Sequence, residues 1–291
     1  MTGEVRFAVL GFEGGDNLGD DIQSIAAERF LPRVDCLLPR EGLDRPPPVE
    51  GRVKLILNGW FIHDPRRWPP HPAIEPLFVS FHLRPSAPSR LRRWAPTPEK
   101  RILGTHVDYI RARAPVGARD RETEAMLRRH GVDAYYSGCL TLTLQPEGPR
   151  GAGPVVACDL AEPLLAELTD RCPDQPLVVS HDERSDTPGA VRRDRAKTLL
   201  SLYESAKCVV TSRLHCALPC LAFGTPVLFI PAHSHPGRLQ PALDLARSST
   251  AEDFLARRDG FDPESPPPNP ERHLPLAEAL RRRCEDFVAG G

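Results

Sequence analysis

The chain has 291 residues, 40% hydrophobic and 26% charged, which is long enough for two α/β domains or one large one. A formal net charge of −1 and a pI near 6.8 exclude the strongly basic face that nucleic acid or an anionic membrane would require. Residues 1–25 show no positive segment followed by an apolar run, and no apolar stretch approaches about 18 residues, so the expectation is a cytoplasmic protein with no signal peptide and no membrane span.

Only four of the 38 basic residues are Lys, and with 33 Pro this reads as a coding bias rather than as chemistry. The eight Cys are scattered without paired C-x-x-C motifs. Cys36, Cys158 and Cys208 lie in apolar strand-like runs and are expected to be reduced core residues, with no metal.

In chain order, residues 5–10 form an apolar strand, followed by a loop from Gly11 to Gln23 that contains Gly14, Gly15 and Gly19 and opens a helix carrying Ile22, Ile25, Ala26 and Phe30. Glycines at a helix start suit close approach of backbone to a ligand. Asp16, Asp20 and Asp21 would repel a phosphate there, so hydroxyls of a sugar or polyol are the better match; the same residues also fit a plain Gly/Asp turn with acids at a helix dipole. Strands follow at 53–57, ending in Asn58, and at 77–81, ending in His82, with a stiff Pro- and Trp-rich loop between them. Residues 101–104 and 115–118 read as two further short strands. The second leads through Arg119 into a helix over 121–130, with Asp120 as its N-cap, acids in the first turn, bases in the last and Gly131 as its stop.

Residues 145–154 hold Pro and Gly clusters without an apolar period and are read as a domain linker. A second alternation follows: a strand at 154–158, a helix carrying Leu164, Leu165 and Leu168, a strand at 176–180 ending in His181, and a helix over about 192–205. Cys208 to Thr211 and Pro226 to Ile230 are buried strands flanking a short helix, a βαβ crossover in a parallel sheet. Ser212 is its expected N-cap, Gly224 its stop, and Pro219 a bend. Arg213 and His215 then stand at the carboxyl end of the strand, where open α/β sheets bind ligands; the unpaired amides and the guanidinium favour an anion. His233 and His235 are read as a solvated loop rather than half a metal site. The chain closes with a Pro-rich connector at 263–270 and a helix over 275–288.

The expected fold class is therefore α/β: two doubly wound, Rossmann-like domains facing across a cleft, over residues 1–148 and 149–262, with a connector and closing helix at 263–291. Polar residues at the predicted strand ends are Asn17, Asp20, Asn58, His82, Arg119, His181, Ser212, Arg213 and His215.

Three segments, at 15–21, at 115–120 with 136–141, and at 211–215, make the chain resemble the polysaccharide pyruvyl transferase family. The resemblance implies a fold similar to type-B glycosyltransferases and transfer of a pyruvyl group from phosphoenolpyruvate to two hydroxyls of a saccharide or glycoside, as a cyclic ketal. It implies His215 as the catalytic His, Arg213 as its anion-binding neighbour, and the Asn17–Asp20 loop, with Gly19, in the acceptor half. Protonation of the donor at C3 needs a general acid, for which His215 suits. Arg213, with Arg119, would hold the donor anion, and Asp20 is the candidate acceptor base, with His82 and His181 as alternatives for either proton role. Asn17, Gly19, Asn58, His82, Arg119, His181 and Ser212 are the expected substrate-binding residues. Phosphoenolpyruvate enters as co-substrate, and no cofactor is expected. Two other readings stand beside this one: a nucleotide-sugar glycosyltransferase with Glu183 or Asp186 gripping the ribose, and a non-catalytic carbohydrate-binding relative.

Overall fold

The computed structural model describes residues 4–83, 99–148, 151–232 and 236–290. Contacts divide the chain into two compact units: residues 1–13, 24–140 and 279–291 form the first, and 14–23 with 141–278 the second. The division differs from a simple cut at the linker, because the Gly-rich loop clusters with the second unit and the carboxyl-terminal segment with the first.

The first unit is built on a six-stranded parallel sheet of β1 (Val5–Gly11), β2 (Cys36–Pro39), β3 (Arg52–Phe61), β4 (Ile74–Leu83), β5 (Val116–Ala118) and β6 (Ala134–Tyr136), in the order β2-β1-β3-β4-β5-β6. β3 and β4 each run for 10 residues, beyond the expected strands, because the pair continues past a register shift between Leu57 and Gly59. Gly59 at φ 97° and Ser80 at φ 53° take the left-handed backbone that this irregularity requires. Asn58 therefore lies inside β3 rather than at its end. The strand expected at 101–104 is instead a π-helical turn, Lys100–Thr105, with Ile102 and Leu103 buried. So short an apolar pair carries no period that separates strand from helix. α3 (Arg121–Arg129) has the expected cap, the Thr123 N–H donating to Asp120 at 2.8 Å. The core joins Leu10, Leu55, Leu57, Phe61, Trp68, Phe78 and Phe81. The closing helix (Leu274–Ala289) reaches this unit through Lys54 on β3, whose buried Nζ donates to the Phe287 carbonyl at 2.5 Å.

The second unit carries β7 (Val155–Cys158), β8 (Leu177–Val179), β9 (Cys208–Thr211), β10 (Val227–Phe229) and β11 (Arg247–Ser248) in the parallel order β11-β10-β9-β7-β8. Its core gathers Val155, Ala157, Leu168, Val210, Leu228 and Phe254. The crossover β9–α6–β10 has the expected form, with α6 over Leu214–Phe223, Pro219 inside it and Gly224 at φ 77°. The cap differs: Arg213, not Ser212, is the N-cap residue, and no side chain caps the helix. The Ser212 hydroxyl is turned away to the Asp159 carbonyl, at 2.7 Å. Among the described residues, no helix is long and apolar enough to cross a membrane. The His233–His235 loop lies outside the described residues.

Arg192, on the long helix α5 (Gly189–Ser205), fixes the Gly-rich loop to the second unit. Its fully buried guanidinium donates to the carbonyls of Gly15 at 2.6 Å and Asn17 at 3.2 Å and to the Asp21 carboxylate at 2.6 Å. The Leu18 N–H donates to the His181 carbonyl, and the Glu183 N–H to that of Asp16.

Arg192→Ala is expected to destabilise the second unit by about 3–5 kcal/mol in urea unfolding, because it strands a buried carboxylate and two carbonyls. In the first unit, burial pushes the Asp120 carboxyl up. The His82 hydrogen bond at 2.5 Å, the charges of His82 and Arg119 and the Thr123 amide outweigh this and hold it below its ordinary value. A carboxylate held low stabilises the fold above its unfolded pKa, about 3.9 for Asp, and loses that contribution as pH falls through its folded value. The stability gap between wild type and Asp120→Asn should therefore be constant near neutrality and close below about pH 4.

Candidate active site

The second sheet's carboxyl edge opens into a cavity of about 500 Å³, within the usual ligand range of about 300–1,000 Å³. Asn17, Asp159, His181, Asp182, Ser212, Arg213, His215 and Arg238 supply its polar lining. Five of the expected site residues thus meet in one place, because the ends of β7 and β9 lie side by side, Cys158 opposite Thr211.

Asp159, directly after β7, organises the cavity. It is a non-glycine residue at φ 52°, and its carboxylate accepts from the Ser180 hydroxyl at 2.5 Å, the His181 N–H at 2.9 Å and Arg213 Nε at 2.7 Å. Burial pushes the Asp159 carboxyl up, but these three donors and the Arg213 charge hold it below the ordinary value, so it stays ionised. Arg213 is fixed in turn: Nε meets Asp159, Nη2 donates to Asp182, and its backbone N–H donates to the Thr211 hydroxyl at 3.0 Å. The two carboxylates differ in exposure, 11% for the Asp159 side chain and 75% for that of Asp182. Arg213 is thus anchored on one side and approachable on the other.

His215 sits in the first turn of α6 and is 3% exposed, with that exposure in the cavity wall. The loop fixed by Arg192 presses against it: a Cβ built on Gly19 would fall 2.7 Å from His215 Nδ1. Asn17 holds that turn, its side-chain oxygen accepting from the Gly19 N–H at 2.8 Å. The sequence motif at 15–21 and the motif at 211–215 are therefore two sides of one corner. His181 shares the cavity wall, but its ring is buried and its Nε2 is paired with the Tyr203 hydroxyl at 2.8 Å.

Asp20 does not line this cavity; its carboxylate accepts from Gln23 at 3.1 Å within α1 (Leu18–Glu28). Asn58, His82 and Arg119 belong to the first unit. There Arg119 follows β5, its N–H bonded to the Phe81 carbonyl at 2.9 Å, beside the buried His82–Asp120 pair. Sequence reasoning missed Asp159, Asp182, Arg192, Tyr203 and Arg238. An acid directly after the first strand of the second alternation was a usable signal for Asp159; Arg192 is one arginine among many and carried none.

Glu183 and Asp186 do not line the cavity either. Glu183 is paired with Arg195 and accepts from Thr187 at 2.8 Å, which holds its carboxyl down to about 2, and Asp186 is paired with Arg184 at 2.7 Å.

No curated protein matches the chain. One solved structure similar to it is an uncharacterized protein from Klebsiella pneumoniae, at 15% identity and a TM-score of 0.45, covering 82% of this chain and 87% of that one. The family model described as polysaccharide pyruvyl transferase matches residues 95–234, a stretch that holds Asp159, His181, Arg213 and His215. Over that stretch, just under half of the chain, the sequence is similar to the polysaccharide pyruvyl transferase family.

Proposed function

We propose that this protein transfers a pyruvyl group from phosphoenolpyruvate to two hydroxyls of a saccharide or glycoside, forming a cyclic ketal, and that the donor binds in the cavity of the second unit. The observation that carries the reading is the placement of His215 and Arg213 together on the wall of one polar cavity.

The donor brings a carboxylate and a phosphate. Arg213 offers the guanidinium that Asp159 holds in place, the first-turn amides of α6 add partial positive charge, and Arg238 lines the same wall. One donor oxygen pair replaces Asp182 on Arg213, a modest exchange because that carboxylate is exposed. His215 acts as general acid, giving its proton to the methylene carbon of the donor and leaving an oxocarbenium-like centre at the neighbouring carbon. An acceptor hydroxyl attacks there and its proton restores His215. A second hydroxyl then displaces phosphate, its proton taken up by Asp20, next to the Gly19 that abuts His215 though outside the cavity lining, and passed on to the departing phosphate. Asn17 and Ser212 supply polar contacts on the cavity rim, and Asn58, His82 and Arg119 are proposed to contact the acceptor. A fold similar to type-B glycosyltransferases belongs to this same proposal. The glycosyltransferase rival loses support, since Glu183 and Asp186 are committed to Arg195 and Arg184.

Incubation with phosphoenolpyruvate and a panel of glycosides should release phosphate and add a pyruvyl mass to the sugar. His215→Ala should lower kcat by about 10²–10⁴-fold, the usual contribution of a general acid; release undiminished in that variant overturns the assignment. Asp182→Asn should tighten phosphoenolpyruvate binding by about 1.4- to fivefold, equivalent to the roughly 0.2–1 kcal/mol of an exposed ion pair. Gly19→Ala should cost activity while leaving the urea midpoint near that of wild type, because the added methyl displaces the His215 ring.

A further inference from the structure

Along the chain the cysteines show no metal-binding spacing, yet the second unit brings two of them to one point with a histidine. Cys158 closes β7, His181 follows β8, and Cys216 lies in the first turns of α6. Their sulfur and imidazole donor atoms all lie within 4.8 Å of one another, and all three residues are buried. Tyr203, from α5, joins them: its hydroxyl is 2.8 Å from His181 Nε2 and 3.4 Å from Cys158 Sγ. We propose that Cys158, His181, Cys216 and the Tyr203 hydroxyl form a structural site for one zinc-class divalent cation, set behind the wall of the cavity and distinct from the pyruvyl-transfer chemistry.

Three arguments carry the site. Zinc bonds of about 2.0–2.3 Å in a tetrahedron correspond to donor–donor edges of roughly 3.3–3.8 Å. The Tyr203–Cys158 edge at 3.4 Å already has that length, the Tyr203–His181 edge at 2.8 Å would open slightly, and the edges of the Cys158–His181–Cys216 group, at most 4.8 Å, would close by no more than about 1.5 Å. Two sulfurs and an imidazole are the donor set that zinc takes, and hard cations do not. Charge also closes: the cation displaces the two thiol protons to solvent, and two thiolates balance it while imidazole and phenol stay neutral. The product carries no net charge, which a dry interior accepts. Buried cysteines often serve simply as small apolar residues, and Cys208 shows that case, its thiol donating to the Pro263 carbonyl at 3.8 Å. Cys158 and Cys216 differ because they share nitrogen and oxygen donors with each other. The cation would tie β7, the segment after β8, α5 and α6 together behind Arg213, and so it would stiffen the corner that carries His215.

Full-length protein, reduced and stripped with chelator, is titrated with zinc chloride against a chromophoric chelator, and separately with cobalt(II) chloride. The expected result is about one equivalent per chain, a thiolate-to-cobalt charge-transfer band, and at least about tenfold weaker binding for Cys158→Ser and Cys216→Ser. Cys208→Ser should bind like wild type, and Tyr203→Phe should keep the band with weaker affinity. If the serine variants do not fold, peptide mapping of alkylated wild type decides: zinc should protect Cys158 and Cys216 and leave Cys36 and Cys172 unchanged. Folded, reduced wild type that takes up neither metal overturns the proposal, as does equal loss of binding in Cys208→Ser. Closure of a Cys158–Cys216 disulfide without metal uptake by the reduced form overturns it as well.

Discussion

The fully buried guanidinium of Arg192 is the constraint from which the site follows. A charge without water must have every partner supplied by the chain, and here the partners are two carbonyls and a carboxylate from residues 15–21. Burial raises the Asp21 carboxyl, and the Arg192 hydrogen bond and charge oppose that rise. The loop therefore cannot leave the second unit without stranding a charge on both sides. That is why a segment lying directly after the first strand of the chain contributes to a cavity formed by residues 159–239.

A second fixed point, Asp159, converts this scaffold into a binding surface. Left-handed backbone is disfavoured for a residue with a side chain, and Asp bears the cost better than most because its carboxylate can bond locally. Here that conformation turns the carboxylate toward Ser180, the His181 amide and Arg213 at once. The strain is thus spent on orientation: Arg213 is held at Nε while its far edge stays accessible. Ser212, which helix-capping rules would have assigned to α6, is drawn off to the Asp159 carbonyl instead. The capping preference loses to a hydrogen bond across two adjacent strand ends.

Much of the fold was legible because its signals are local. Both alternations of strand and helix, the Asp120 cap, the Gly224 stop and the βαβ crossover rest on short-range periodicity and turn chemistry. What failed has a non-local cause. The extra length of β3 and β4 comes from pairing across a shifted register, which no single strand encodes. The turn at Lys100–Thr105 has too few residues to display a period. At the site, Arg213, His215, Ser212, Asn17 and His181 were readable as polar residues at strand or helix ends. The clustering of the 15–21 loop with the second unit was not legible, since its partner Arg192 lies far along the sequence and looks like any surface arginine of a helix.

The balance of charge in the cavity then bears on what kind of ligand it selects. Asp159 and Asp182 offset Arg213 and Arg238, so the resting cavity does not draw anions by net charge. A ligand with one negative group would merely trade places with Asp182 on Arg213, gaining little over water. A ligand with two such groups does more: one replaces Asp182, while the other meets the amides at the start of α6 and the second arginine of the wall. Displacing an exposed carboxylate costs little, whereas Asp159, largely buried and bonded to three donors, stays and keeps Arg213 aimed. Under the proposed function, selectivity for a compact dianion would arise from the unequal burial of two carboxylates on one guanidinium, rather than from an excess of positive charge.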